Sequence, residues 1–252
     1  MRKTLAVAAI AVLLPWAAFA QDDAAPEPWE LTFTHKALEA VTVPYRDGSA
    51  RTVYVLPFTI ENKSGAAAEL TLHFRATVGT DPRKQTLHFA LPDPDAEELV
   101  RRMARTPGML GVSQINRHNA GEQGPGKLAP GEKLQGVAVF GEFSREWDRA
   151  VITVAGLEPR AIDARVRRYG DAGFTLAHRA YGRHNAEVLE KAGEAASSTD
   201  VHAIVQHNVV WKMEFSRKGD EFEAQLDPIT MDREYWEVLE EPAPNIVYTK
   251  FE

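Results

Sequence analysis

The chain has 252 residues, a formal net charge of −7 and no cysteine. That length suits one large or two small domains with ample chain for a core. An acidic balance without a basic cluster argues against nucleic acid and anionic membrane as partners, since both need gathered Lys and Arg. The lack of cysteine excludes a disulfide framework and thiolate metal sites, so packing must supply the stability.

Arg2 and Lys3 open the chain, Thr4 to Phe19 carry no charge, and Ala18-Phe19-Ala20 places small residues two apart before Gln21-Asp22-Asp23. This order predicts a secretory signal peptide at 1–20, cleaved after Ala20. The uncharged run is too short for the ~20 apolar residues of a spanning helix and is interrupted by Pro15. Cleavage leaves 232 residues and, because the leader carries two positive charges, takes the formal charge from −7 to −9. The mature protein is expected in the periplasm or extracellular space, with no transmembrane segment.

Residues 21–28 read as a flexible lead-in. Thr52 to Ile60 is rich in β-branched and aromatic residues and ends at the turn-forming Asn62-Lys63-Ser64-Gly65. Leu70, Leu72, Phe74 and Ala76 alternate with polar residues, the signature of a half-buried strand, and Gln85 to Leu91 is a shorter candidate. A helix is predicted over 93–106. Asp93 caps it, Pro94 suits its first position, and Ala96, Leu99, Val100 and Met103 form its apolar stripe. A glycine-rich loop from Asn119 to Gly131 precedes strands at Lys133–Phe143 and Ala150–Ala155.

A seam is expected near 158–165. Beyond it lie a basic run at Arg160, Arg165, Arg167 and Arg168, a strand pair over Tyr169–Tyr181 and a short helix over Asn185–Ala196. From Val201 to Phe215 apolar residues lie two apart, interrupted only by His207, the longest alternation in the chain. It predicts a long strand, with Ile229–Leu239 pairing back onto it. The fold class read from this pattern is mainly β, an antiparallel sandwich at 29–158 with one inserted helix and a β-rich C-terminal region at 159–252 packed on it.

The turn Asn62-Lys63-Ser64-Gly65, the turn Pro130-Gly131-Glu132 running into Gly136-Val137-Ala138-Val139-Phe140, and Asp148 followed by Val151 to Leu157 resemble the immunoglobulin-like β-sandwich modules of many exported bacterial proteins. The stretch from Trp211 to Phe222 is similar to the C-terminal end of planctomycete-type proteins of this kind. The resemblance covers about half of the mature chain. It implies an immunoglobulin-like fold and an export route, and it carries no active site.

Chemistry-bearing candidates are few. Four of the eight histidines, His178, His184, His202 and His207, lie within thirty residues and could supply imidazole ligands to a metal. Their spacing matches no zinc signature, and His202 and His207, five apart, fall on opposite faces of a regular strand. Glu142, Glu146 and Asp148 surround Trp147, the composition of a sugar-stacking surface and equally of a turn whose aromatic closes the core. Gly219-Asp220-Glu221-Phe222 matches the end of the diguanylate cyclase signature, but Lys218 replaces the leading glycine. The loop Gly121–Gly126 lacks the strand and helix that a phosphate site needs. With no serine nucleophile motif either, the expectation is an exported, non-enzymatic binding, adhesion or envelope-associated module without cofactor, whose partner is a protein or a glycan. The alternatives are a carbohydrate-binding or carbohydrate-active protein using Trp147 and its acids, and a histidine-based metal-binding protein.

Overall fold

The computed structural model describes residues 29–79, 81–106, 108–122, 124–144, 147–159, 161–167, 172, 175–181, 201–217 and 228–242. The strands in chain order are β1 (Leu31–His35), β2 (Glu39–Pro44), β3 (Ala50–Asn62), β4 (Ala68–Leu70), β5 (His73–Val78), β6 (Thr86–Phe89), β7 (Leu110–Gly111), β8 (Gly126–Leu128), β9 (Lys133–Phe140), β10 (Arg149–Ala155), β11 (Ala161–Arg167), β12 (Thr175–Tyr181), β13 (Val201–Arg217) and β14 (Ile229–Pro242). Helix α1 (Pro94–Ala104) follows β6, and the single turn α2 (Val112–Ile115) follows β7.

Two sheets face each other, each organised by one long strand. In the first, β1 and β2 lie end to end along one side of β3 while β9 covers the other side, and β7 adds a short parallel pair to β9. In the second, β13 does the same work. Its residues 201–207 pair with β11 and its residues 210–216 with β10, whereas β14 runs along the opposite side from Val205 to Arg217. The strand order β12-β11-β13-β10-β5-β6 completes this sheet.

Between the sheets lies the main core, where Leu56, Phe58 and Ile60 of β3 meet Phe74 and Ala76 of β5, Ile152 and Val154 of β10, and Met213 and Phe215 of β13. Full burial of each large apolar side chain contributes ~1.5–3 kcal/mol. A second core occupies the outer face of the first sheet, where Val41, Val43, Val53, Val55, Val137 and Val139 are covered by Ala96 and Val100 of α1. The unbroken apolar run of β3 follows from this. A strand buried on both faces has no need for alternation.

Helix α1 begins as its cap predicts, with the Asp93 carboxylate accepting the Ala96 N–H at 3.0 Å, and it ends at Arg105 in the left-handed region. Its buried face is rolled from the expected stripe. Met103 is 58 % exposed, while Glu97 is buried. Gly111 makes the room, since a Cβ there would lie 2.1 Å from Glu97 Oε1, and Arg101 pairs with the carboxylate at 3.6 Å.

The expected single strand through Leu70 and Ala76 divides into β4 and β5. The Asn116 side chain takes both backbone groups of Leu72, accepting its N–H at 2.8 Å and donating to its carbonyl at 2.9 Å. Leu70, Leu72, Phe74 and Ala76 stay buried through the break, so the alternation reports burial and not continuity of one ladder. The glycine-rich loop contains β8, which pairs with β4. The basic run includes β11, the described part of the expected strand pair over 169–181 holds β12, and the predicted helix at 185–196 lies outside the described residues.

Candidate functional site

Trp147 is fully buried. Its indole N–H donates to the Tyr54 hydroxyl at 2.9 Å, its ring stands edge-on to Tyr54 and Phe143, and the Arg217 guanidinium lies 5.1 Å from its centroid. No face of the ring is open for a sugar to stack on, so this residue closes one end of the core. Glu142 and Asp148 are exposed on the segments flanking it, and Glu146 lies outside the described residues.

The histidines named above sit on or beyond the strands around β11. His178 stands opposite Ala164, His202 opposite Val166 and His207 opposite Ala161 in backbone register, and His184 lies outside the described residues. Among the described residues no group of three His, Cys, Asp or Glu side chains gathers as a metal site would require. The other histidines with described contacts serve the framework. His118 Nε2 meets Glu132 at 2.6 Å, and Glu132 also accepts the Ala129 N–H at 2.9 Å, which holds its carboxyl below the usual range. His35 reaches from β1 to Glu234 of β14 at 2.9 Å, tying the two sheets together. His88 packs on Phe143, and burial lowers its pKa.

The most elaborated polar site is on the outer face of β13 and β14. Glu214 is buried at the centre, accepting from Arg149 at 2.6 Å, from Arg233 at 2.7 Å and from the Tyr235 hydroxyl at 3.0 Å. The Arg233 hydrogen bond, with Arg149 and Tyr235 behind it, outweighs burial and brings the Glu214 pKa from 4.5 to about 2. Lys212 continues the ladder to Glu237 at 3.2 Å and lies 5.6 Å from the Tyr235 ring. Both Glu214 oxygens are engaged by side chains of neighbouring strands, which staples β14 to β13 and β10 by charge. A carboxylate held this far into its ionised form is a poor proton donor at neutral pH.

The opposite face of β14 carries Glu234, tied to His35, and beyond it the part-exposed Trp236 and Val238. Trp236 stands directly across from Trp211, their rings 4.9 Å apart at 78°, and Trp236 and Val238 are 38 % and 55 % exposed. Trp211 rests on the main core, yet its indole N–H is buried with no acceptor among the described residues. A part-exposed tryptophan braced by a second one is a platform that can take a flat or apolar group. Sequence reading placed β14 but passed over this pair. The signal was present in the alternation of Trp236 and Val238 with Tyr235 and Glu237, which puts bulky apolar side chains on one face of the strand.

A shallow cleft of about 230 Å³ lies on the outer face of the first sheet, lined by Thr34, Pro57, Thr59 and Gln135 from the strands and by Thr106 and Met109 beyond α1. No described helix is long and apolar enough to cross a membrane. No family model matches the chain, and no curated protein or solved structure matches it.

Proposed function

We propose that this is an exported, non-enzymatic binding module of the cell envelope that recognises a protein or glycan through the Trp211–Trp236 face of β14. The observation that carries the reading is that Trp236, 38 % exposed and edge-on to the part-buried Trp211 of β13, stands on a strand whose other face is locked by the Glu214 network. Rigid aromatic anchors give binding surfaces much of their energy because they bury large area at small entropic cost. The ionisable groups around the platform are engaged in framework contacts, with His35 and Glu234 bound to each other and Glu214 to two arginines. The three-part N-terminal pattern supports export.

A photo-crosslinking residue at position 238, read in intact cells, should give a discrete adduct that Trp236→Ala abolishes while circular dichroism stays unchanged. Mass spectrometry of the protein from the envelope or culture fraction should find Gln21 as its first residue. Turnover on a broad hydrolase panel, abolished by substitution of one carboxylate or histidine, would overturn the non-enzymatic reading.

A further inference from the structure

We infer that β6 is a self-association edge, through which two copies of this chain pair antiparallel about a two-fold axis at His88. The Ala90 N–H donates to Phe74 O at 3.1 Å, so even-numbered residues here turn their backbone groups toward β5. By the period of two, Leu87 and Phe89 turn theirs to the free side of the strand, where no described strand pairs with them. Their side chains are also exposed, at 52 % and 54 %, because the same alternation turns His88 inward onto Phe143. Leu91 extends the row, and its own N–H is taken by Val139 O, which closes the open ladder at that end.

A bare edge carrying a row of exposed apolar side chains is what monomeric β proteins avoid. Soluble edges are protected by an inward charge, a proline or a bulge, and between Thr86 and Phe89 there is none. The occupant that fits is a second copy. Antiparallel pairing centred on His88 sets Leu87 opposite Phe89 of the other copy and Phe89 opposite its Leu87. Both positions offer N–H and C=O groups without a strand partner among the described residues, so four hydrogen bonds and two leucine–phenylalanine pairs form from one short strand. Charge selects the same direction. The strand leaves the basic turn at Arg83 and Lys84 and runs into Asp93 and Asp95 at the start of α1, so antiparallel pairing brings opposite signs together, whereas parallel pairing would align like signs. Asp81 on the basic side is occupied by the Arg83 N–H, Asp93 by Tyr45 and Ala96, and Asp95 by a 3.6 Å contact with the exposed Arg46.

Sedimentation of the full mature chain should show a monomer–dimer equilibrium. Leu87→Lys should weaken it at least ~10-fold without changing the melting temperature at concentrations where the chain is monomeric, since the position is exposed and each symmetric dimer carries the change twice. Lys84→Glu and Asp95→Lys should each weaken the dimer, and an equimolar mixture of the two should restore it as a heterodimer with both contacts attractive. Because the chain has no cysteine, His88→Cys should oxidise to a single cross-linked dimer, a result tied to this register. A wild-type chain that stays monomeric, or a dimer indifferent to Leu87→Lys and to the charge swaps, would overturn the inference. Trp236→Ala leaves this edge untouched, so failure here and failure of the β14 platform are separate results.

Discussion

Glu214 and Tyr45 are the residues whose ionisation the fold controls most tightly, in opposite directions. Glu214 has its pKa lowered from 4.5 to about 2, so its contribution to stability is complete above the ordinary carboxyl value and fades as pH falls from about 4.5 toward 2. Arg149 and Arg233 are 55 % and 62 % exposed, and solvent screening limits what Glu214→Gln costs to ~1–2 kcal/mol. Calorimetry should find a melting point ~2–8 °C lower at pH 7, with the difference from the native chain shrinking at acid pH. Tyr45 is pushed from 10.0 up to about 12, first by burial and then by its hydrogen bond to the Asp93 carboxylate. A raised folded pKa means stability present below 10 and lost as pH rises through 12. Tyr45→Phe should therefore cost ~1 kcal/mol at neutral pH and remove this alkaline loss, read by denaturant titration across that range. Neither residue was legible from sequence. Their partners come from strands or helices far along the chain, and long-range pairing leaves no local pattern.

What is local was legible as elements. The α1 cap at Asp93 and its first-turn Pro94 are short-range chemistry and appear as expected, while the roll of the helix toward Glu97 depends on the missing side chain of Gly111, a contact between separate segments. Another glycine decides a connection. Gly156, between β10 and β11, has φ +87, and a Cβ there would come within 2.3 Å of the Thr71 carbonyl oxygen. Backbone cannot move aside as a flexible side chain can. Gly156→Ala should thus combine ~1 kcal/mol of left-handed strain with displacement of the Thr71–Leu72 turn, for a loss above ~2 kcal/mol. Gly48→Ala is the matched control, since Gly48 has φ +82 but nothing within 4 Å of the added atom, and should cost the strain alone. Equal losses in urea titrations of the two variants would refute the steric reading. The basic run at 160–168 illustrates the limit of element reading. Ala161, Asp163 and Arg165 alternate with Ile162, Ala164 and Val166, a pattern too mixed in polarity to show which side is buried, yet β11 is held there by ladders on both sides.

At the scale of the molecule, β13 binds the C-terminal region to the rest. The alternation over 201–215 correctly indicated a long strand, but periodicity alone cannot assign neighbours, and the partner it found is β10 from the N-terminal portion. Met213 and Phe215 are 0 % and 1 % exposed in the same core as Leu56 and Ile152. Residues 29–158 produced alone would lack both side chains, would open the β10 edge along seven residues of pairing, and would lose the His35–Glu234 tie between the sheets. Two large apolar side chains at ~2–3 kcal/mol each rival the ~5–15 kcal/mol that holds a whole domain together. The fragment should show no cooperative thermal transition and should aggregate through its uncovered edge, whereas the chain carried through β14 should unfold in a single step. Cooperative melting of 29–158 near the temperature of the full chain would show that the long strand is an addition to a finished sandwich. The opposite result makes the Trp211–Trp236 platform part of the folding unit, so a ligand bound there would raise the stability of the entire β13 sheet through the strand that carries it.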